Sequence, residues 1–335
     1  MPTIAIIGQG TMARAHARAW REVGLADRIR YICTPGTPRP IGDAPRAEFV
    51  TDLDVVLTDP TIDIVSVCTP TPSHADIAVR ALERGKDVLL EKPIALNLRD
   101  AAAIRDAAAR SDGILMVAHV VRFFGGYEAL RSVARGGEVG QVLSVHAERI
   151  SGPPAPSPWW HDESKSGGIL VDFAIHDFDQ LNLFLGTPRA LDARRASPTS
   201  PIEISVEYAD GGIGQVQTFM GMAPDVPFSS ALSLLGTQGS ATHQFSGASD
   251  VAVSTPAAEF IRLVTAAGVA FRPADATNPY ARQARHFLDC VASRTDSGIA
   301  PTDGAILALA VSLAARRSLA ESRPIDVETL GVGTG

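Results

Sequence analysis

The chain has 335 residues, 45% hydrophobic and 20% charged, which is more than one hydrophobic core usually serves, so a globular protein of two domains is expected. No apolar run approaches the roughly 18 residues of a membrane-spanning helix; the longest, Ile114 to Phe124, is interrupted by His119 and Arg122. A formal charge of -7 argues against nucleic acid as a partner, because that affinity comes from Lys and Arg displacing counterions from phosphates.

The first residues enter a strand pattern at once, Thr3 to Ile7, with no room before it for a secretion signal, so a cytoplasmic protein is expected. Short β-branched runs then alternate with helical stretches: strands at Ile29 to Cys33, Glu48 to Val50, Ile64 to Cys68, Asp87 to Leu90 and Ile114 to Val120. Ser73 is placed to cap a helix running to Arg84, and Asn97 one ending near Ser111. This alternation predicts a doubly wound parallel sheet over residues 1–120. Beyond it the pattern lengthens. Strands are expected at Gln141 to Ile150, Ala190 to Arg195, Ile202 to Tyr208, Ile213 to Phe219 and Ala231 to Leu235, with helices at Gly168 to Leu185, Tyr280 to Arg294 and Asp303 to Ser322. In Ile202 to Tyr208 every second residue is apolar, the mark of a sheet buried on one face. Residues 121–335 are therefore expected to form an α+β domain on a large, mainly antiparallel open sheet. The cysteines, Cys33, Cys68 and Cys290, read as core residues rather than as disulfide or zinc partners. The Pro-rich stretch Gly152 to Pro158 reads as a functional loop.

The first strand runs into Gly8-Gln9-Gly10-Thr11-Met12-Ala13, a dinucleotide fingerprint with alanine in its third position, opening a helix from Thr11 to Glu22. The first glycine makes the turn, the second lets the backbone approach a pyrophosphate, and the small third residue packs the helix on its strand. The free amides of the helix N-terminus attract the phosphates. NAD binding usually places an acid at the end of the second strand for the ribose. This chain has Thr34 there, with Arg39 close behind and no carboxylate between them, which favours NADP over NAD. Two more segments fall at the carboxyl ends of parallel strands, where ligands bind in such sheets: Cys68-Thr69-Pro70-Thr71-Pro72-Ser73-His74 and Glu91-Lys92-Pro93. Further on, Asp172 and His176 stand four apart, with Asp179 a turn beyond; on a continuous helix they share a face, and an imidazole beside a carboxylate suits proton transfer near neutral pH. Zinc ligation by Asp172, His176, Asp179 and His119 or His161 matches no compact motif, and no metal is expected.

Taken together, these segments resemble the glucose-fructose oxidoreductase, inositol dehydrogenase and MocA (Gfo/Idh/MocA) family of NAD(P)-dependent oxidoreductases. The resemblance rests on the fingerprint, Thr69 to His74, Glu91-Lys92-Pro93, the stretch Trp160 to Gly168, Asp172 to His176, and Pro301-Thr302-Asp303-Gly304 before a long Ala-rich helix. It implies hydride transfer between nicotinamide and a hydroxyl or carbonyl carbon of a sugar, cyclitol or related polyol. It implies Lys92, Asp172 and His176 as the catalytic residues: Lys92 beside the reacting oxygen, His176 as general acid and base, and Asp172 holding substrate or orienting the pair. Thr69, Pro70, His74, Glu91 and Lys92 would join the fingerprint, Thr34 and Arg39 in binding cofactor. His119, Arg122 and Trp160 would meet substrate with Lys92, Asp172 and His176. The resemblance also implies a cis bond before Pro93 and a homodimer or homotetramer built on the open sheet. Two rivals stand beside it: an enzyme that retains its NAD and oxidises a sugar only transiently to allow elimination or hydrolysis, and a non-catalytic dinucleotide-binding sensor.

Overall fold

A computed structural model describes residues 1–153, 161–223, 225–247 and 259–331. The chain divides into two compact units, one formed by Met1–Val120 with Asn278–Ala305 and the other by Val121–Thr277 with Ile306–Gly335. The segment Asn278–Ala305, expected from sequence to belong to the second domain, thus packs with the first unit. The change of unit falls inside the last helix, Thr302–Glu321.

The first unit is built on six strands: β1 (Ile4–Ile7), β2 (Ile29–Cys33), β3 (Glu48–Val50), β4 (Ile64–Val67), β5 (Asp87–Glu91) and β6 (Leu115–Ala118). All pair in parallel, in the order β3-β2-β1-β4-β5-β6. The order reverses between β1 and β4, and this switch point places the ends of both strands at the ligand edge of the sheet. β1, β4 and β5 are buried along their whole length, as befits strands covered on both faces. The helices are α1 (Thr11–Glu22), α2 (Leu53–Thr58), α3 (His74–Glu83), α4 (Leu98–Ala109) and, from the far end of the chain, Pro279–Ser293. α1 packs on this last helix through Trp20 and Phe287, both fully buried, whose rings meet edge-on with centroids 6.5 Å apart. Asn97 caps α4 as expected, accepting from the Asp100 amide at 2.9 Å. Ser73 does not cap α3. A short 3-10 turn, Thr71–Ser73, precedes that helix and turns the Ser73 hydroxyl back onto the Pro70 carbonyl at 2.8 Å.

Among the described residues of the second unit nine strands form one sheet: β7 (Val142–Ile150), β8 (Pro188–Arg194), β9 (Ile202–Tyr208), β10 (Ile213–Phe219), β11 (Phe228–Gly236), β12 (Gly239–Gly247), β13 (Phe260–Thr265), β14 (Gly268–Pro273) and β15 (Ile325–Asp326). Their order is β14-β13-β12-β11-β7-β10-β9-β8-β15. Every neighbouring pair is antiparallel except the central β7 and β10, which run parallel. β9 alternates buried and exposed residues from end to end. α5 (Gly125–Arg135) packs on β12 and β13, and the helix Ile175–Leu185 packs on β7 and β10. Among the described residues no helix is long and apolar enough to cross a membrane.

Candidate functional site

In the first unit the fingerprint folds as its residue types demand. Gly8 sits at φ +115°, and a Cβ there would lie 2.5 Å from the Cys68 carbonyl oxygen, so the turn after β1 passes against the chain leaving β4 with no room for a side chain. A Cβ at Gly10 would meet nothing. Gly10 caps α1 without a side-chain bond, and the first turn of α1, which includes Thr11 and Met12, carries no acidic residue. The helix amides are thus left for an anion. Ala13 is fully buried, where a larger residue would part helix from strand. This cradle of open glycine, uncapped helix and small third residue fits the pyrophosphate of a dinucleotide.

Gln9 is committed to the loop that follows β2. Its amide donates to the Thr37 carbonyl at 2.9 Å and accepts from the Arg39 amide at 2.8 Å, while the Arg14 guanidinium donates to the Pro40 carbonyl at 3.0 Å. Thr34 is 5% exposed and Arg39 lies on the surface. The fingerprint thereby fixes the loop that would meet the adenosine ribose.

At the end of β5, Glu91 is 4% exposed. One carboxylate oxygen lies 2.8 Å from His16 Nε2, and the other accepts the Lys92 amide at 3.2 Å. His16 comes from α1, is 2% exposed, and places its other ring nitrogen 2.6 Å from the Ser66 hydroxyl of β4. Burial by itself would lower the His16 pKa, but Cys68 and Glu91 outweigh it and push it up to about 10. The Lys92–Pro93 bond is cis. Beyond it His74, 1% exposed, sets Nδ1 2.8 Å from the Pro93 carbonyl and Nε2 3.0 Å from the Thr69 carbonyl. Burial lowers the His74 pKa, so near neutral pH its single N–H serves one carbonyl at a time. Glu91 and His74, both expected to bind cofactor, thus spend their polar atoms inside the protein. Thr69 is half-buried, Pro70 is exposed and Lys92 is partly exposed.

His16 was not anticipated from sequence. It stands on the stripe Ala13, His16, Ala17, Trp20 that α1 buries, facing a Ser in an otherwise apolar strand and a Glu that ends another. Three polar residues at positions that periodicity assigns to the core were the available signal.

The expected single helix Gly168 to Leu185 is interrupted in the second unit. Gly167 and Gly168 have positive φ, a π-helical turn spans Ile169–Phe173, and the regular helix begins at Ile175. Asp172 and His176 lie on either side of this change of pitch, so the i,i+4 relation of a continuous helix does not describe them. His176 is 5% exposed and Asp172 half-buried. Two buried forks hold the helix. Arg149 of β7 meets Asp177 at 2.8 and 3.0 Å, its guanidinium carbon lying 5.6 Å from the centroids of both Phe173 and Phe228. Arg122, on the 3-10 turn Val120–Phe123, meets Asp179 at 2.8 and 2.6 Å. Arg122 is 3% exposed, so its guanidinium serves the His176 helix rather than an open surface. His119 is buried in the first unit; His161 is exposed, and Trp160 lies outside the described residues. Among the described residues no three His, Cys, Asp or Glu side chains gather as a metal site would require.

Residues 3–119 match the model of an oxidoreductase family with an NAD-binding Rossmann fold, and residues 127–242 match the GFO/IDH/MocA C-terminal domain. The chain is 28% identical over 343 residues to the inositol 2-dehydrogenase of Rhizobium meliloti (strain 1021), covering 96% of this chain and 98% of that one. It is 26% identical over 295 residues to the scyllo-inositol 2-dehydrogenase (NAD(+)) of Bacillus subtilis (strain 168), covering 84% of this chain and 82% of the relative. Among solved structures, a levoglucosan dehydrogenase in complex with NADH and L-sorbose superposes with a TM-score of 0.82 at 20% identity, over 98% of this chain and 99% of that one. At that identity the likeness is one of fold.

Proposed function

The chain belongs to the glucose-fructose oxidoreductase, inositol dehydrogenase and MocA family, and on that premise we propose that it is an NAD(P)-dependent oxidoreductase interconverting a hydroxyl and a carbonyl on a sugar, cyclitol or related polyol. The observation that carries this reading is the Glu91-Lys92-Pro93 segment, held by buried bonds at the carboxyl end of β5, in the same unit as a cradle shaped for a pyrophosphate.

Gly8, Gly10, Thr11, Met12 and Ala13 would hold the dinucleotide phosphates, with Thr69 and Pro70 at the neighbouring strand end. A bound nicotinamide supplies the two-electron acceptor or donor. Lys92 orients and polarises the reacting oxygen, lowering the cost of charge that builds there. His176 takes the hydroxyl proton on oxidation and returns it on reduction, and Asp172 holds the substrate or orients His176. Arg149 and Arg122, forked onto Asp177 and Asp179, keep the helix that carries His176 in one position.

The loop Thr34 to Pro40 contains no carboxylate, is pinned by Gln9, and presents Arg39 on the surface. These features favour a 2′-phosphate, and hence NADP, over a bare ribose hydroxyl. The relatives described above are sugar and cyclitol dehydrogenases by name, which supports the polyol class of substrate. A homodimer or homotetramer is proposed through the face of the nine-stranded sheet to which Glu203, Ser205 and Glu207 of β9 point.

Lys92→Ala and His176→Ala test the roles directly. Lys92→Ala should lower turnover far more than it weakens NADH binding, and His176→Ala should lower turnover while the protein stays folded; full turnover in either variant would remove that residue from the mechanism.

A further inference from the structure

We propose that His16 and His74 are positioning residues for this reaction, which together fix the backbone that carries Lys92, one through the Glu91 carboxylate and the other through the Pro93 carbonyl. The inference rests on the reading of Lys92 given above and extends it to two histidines that bond the residues on either side of it.

The geometry joins three elements, α1, β4 and α3, to three consecutive residues at the end of β5. His16 arrives from α1, the helix whose N-terminus forms the phosphate cradle, and bonds both Ser66 of β4 and Glu91 of β5. Glu91 passes that constraint to the Lys92 amide through its second oxygen. His74 arrives from the start of α3 and sets Nδ1 2.8 Å from the Pro93 carbonyl, so its N–H, placed there, anchors the far side of Lys92 to that helix. Lys92 is thereby flanked by two buried anchors, each on a rigid element, and both trace back to segments that border the dinucleotide cradle.

Stability alone is a poor reason for these residues. A buried charged pair between an otherwise apolar helix face and strand gains little over apolar groups of the same size, because desolvation offsets the attraction. Such a pair is better suited to fixing geometry, and a displacement of about 1 Å at a reacting group can cost on the order of 100-fold in rate. The raised pKa of His16 agrees with a cation lying against Glu91. His74 departs from that pattern: it is neutral, and its one N–H acts as an anchor when it donates to the Pro93 carbonyl.

The chain offers an unusually clean reporter, since Lys86, Lys92 and Lys165 are its only lysines. In full-length protein labelled with 13C and 15N at lysine, the side-chain signal of Lys92 should move in His16→Leu and in His74→Leu while that of Lys165 stays in place. Turnover should fall by about 10- to 100-fold with NADH affinity unchanged. His16→Gln keeps a donor toward Glu91, and His74→Asn keeps one toward Pro93; these variants should recover much of the loss and also guard against a leucine variant that fails to fold. In a Lys92→Ala background the His16 and His74 substitutions should have no further effect on kcat, which a general loss of structure would not reproduce. An unmoved Lys92 signal with full turnover in the histidine variants would overturn the positioning role and leave the functional reading standing. Full turnover in Lys92→Ala itself would overturn the functional reading and the positioning role with it.

Discussion

Arg149 and Asp177 form a two-bonded ion pair, 2.8 and 3.0 Å, with side chains only 2% and 1% exposed, and Asp177 is the residue next to His176. The rings of Phe173 and Phe228 flank the guanidinium, so the pair is closed off from water that would otherwise loosen it. A strand of the large sheet is in this way bolted to the helix that carries the proposed proton acceptor.

Removing one partner would leave the other charge buried and uncompensated. Arg149→Met or Asp177→Leu should therefore destabilise the fold by about 3–5 kcal/mol, read as a shift in the urea midpoint. The double variant Arg149→Met with Asp177→Leu should recover much of that loss. A single-variant cost below about 1 kcal/mol, the range of exposed pairs, would mean that the fork is not closed off as described.

Gly8→Ala should abolish dinucleotide binding. The added carbon would meet the Cys68 carbonyl at 2.5 Å on a backbone at φ +115°, and the turn must open to relieve it. The strain is worth on the order of 1–3 kcal/mol, so the variant should fold with a lowered Tm and show no NADH fluorescence titration. Gly24→Ala is the control: its φ is also positive, at +85°, but nothing lies within 4 Å of its missing Cβ, and it should bind normally.

The His16 pair predicts a pH dependence of definite sign. Its pKa is raised from 6.5 to about 10 in the fold, so the stability it contributes is complete below pH 6.5 and is lost as pH rises through about 10. The difference in Tm between wild type and His16→Gln should shrink over that window. A difference that stays constant from pH 6.5 to 10 would contradict a protonated His16.

Cofactor choice should turn on the loop after β2. Arg39→Ala should weaken NADPH more than NADH, because a charge-assisted bond to the 2′-phosphate contributes roughly twice a neutral one. Parallel titrations of both dinucleotides check this, and an equal loss of the two would remove Arg39 from cofactor selection.

Much of the first unit was legible because its signals are local. The glycine fingerprint, the β-branched strands and Asn97 each act within a few residues of themselves. The alternation in Ile202 to Tyr208 likewise announced a half-buried strand. What escaped depends on contacts distant in sequence. α5 opens on Gly125-Gly126, a pair that reads as a helix breaker; Gly126 is required because the His243 ring occupies the space of its Cβ, 2.2 Å away. β12, Gly-Ser-Ala-Thr-His-Gln-Phe-Ser-Gly, has few strand-forming residues and is held by pairing with β11 and β13. The strand expected to reach Val120 stops at Ala118, because the continuing apolar run is buried as a 3-10 turn and periodicity cannot tell the two apart. At the site, the motifs pointed to Lys92 and His176, whereas His16 and Arg149, which bond the neighbouring Glu91 and Asp177, lie far off in sequence from those partners.

The most direct measurement is turnover of a panel of inositols, anhydrosugars and their keto forms with NAD, NADP and the reduced dinucleotides, followed at the nicotinamide absorbance band. The proposed activity requires tight binding of a dinucleotide and a steady change of that band with at least one polyol or its ketone. Tight binding with no net turnover on any member of the panel would contradict it.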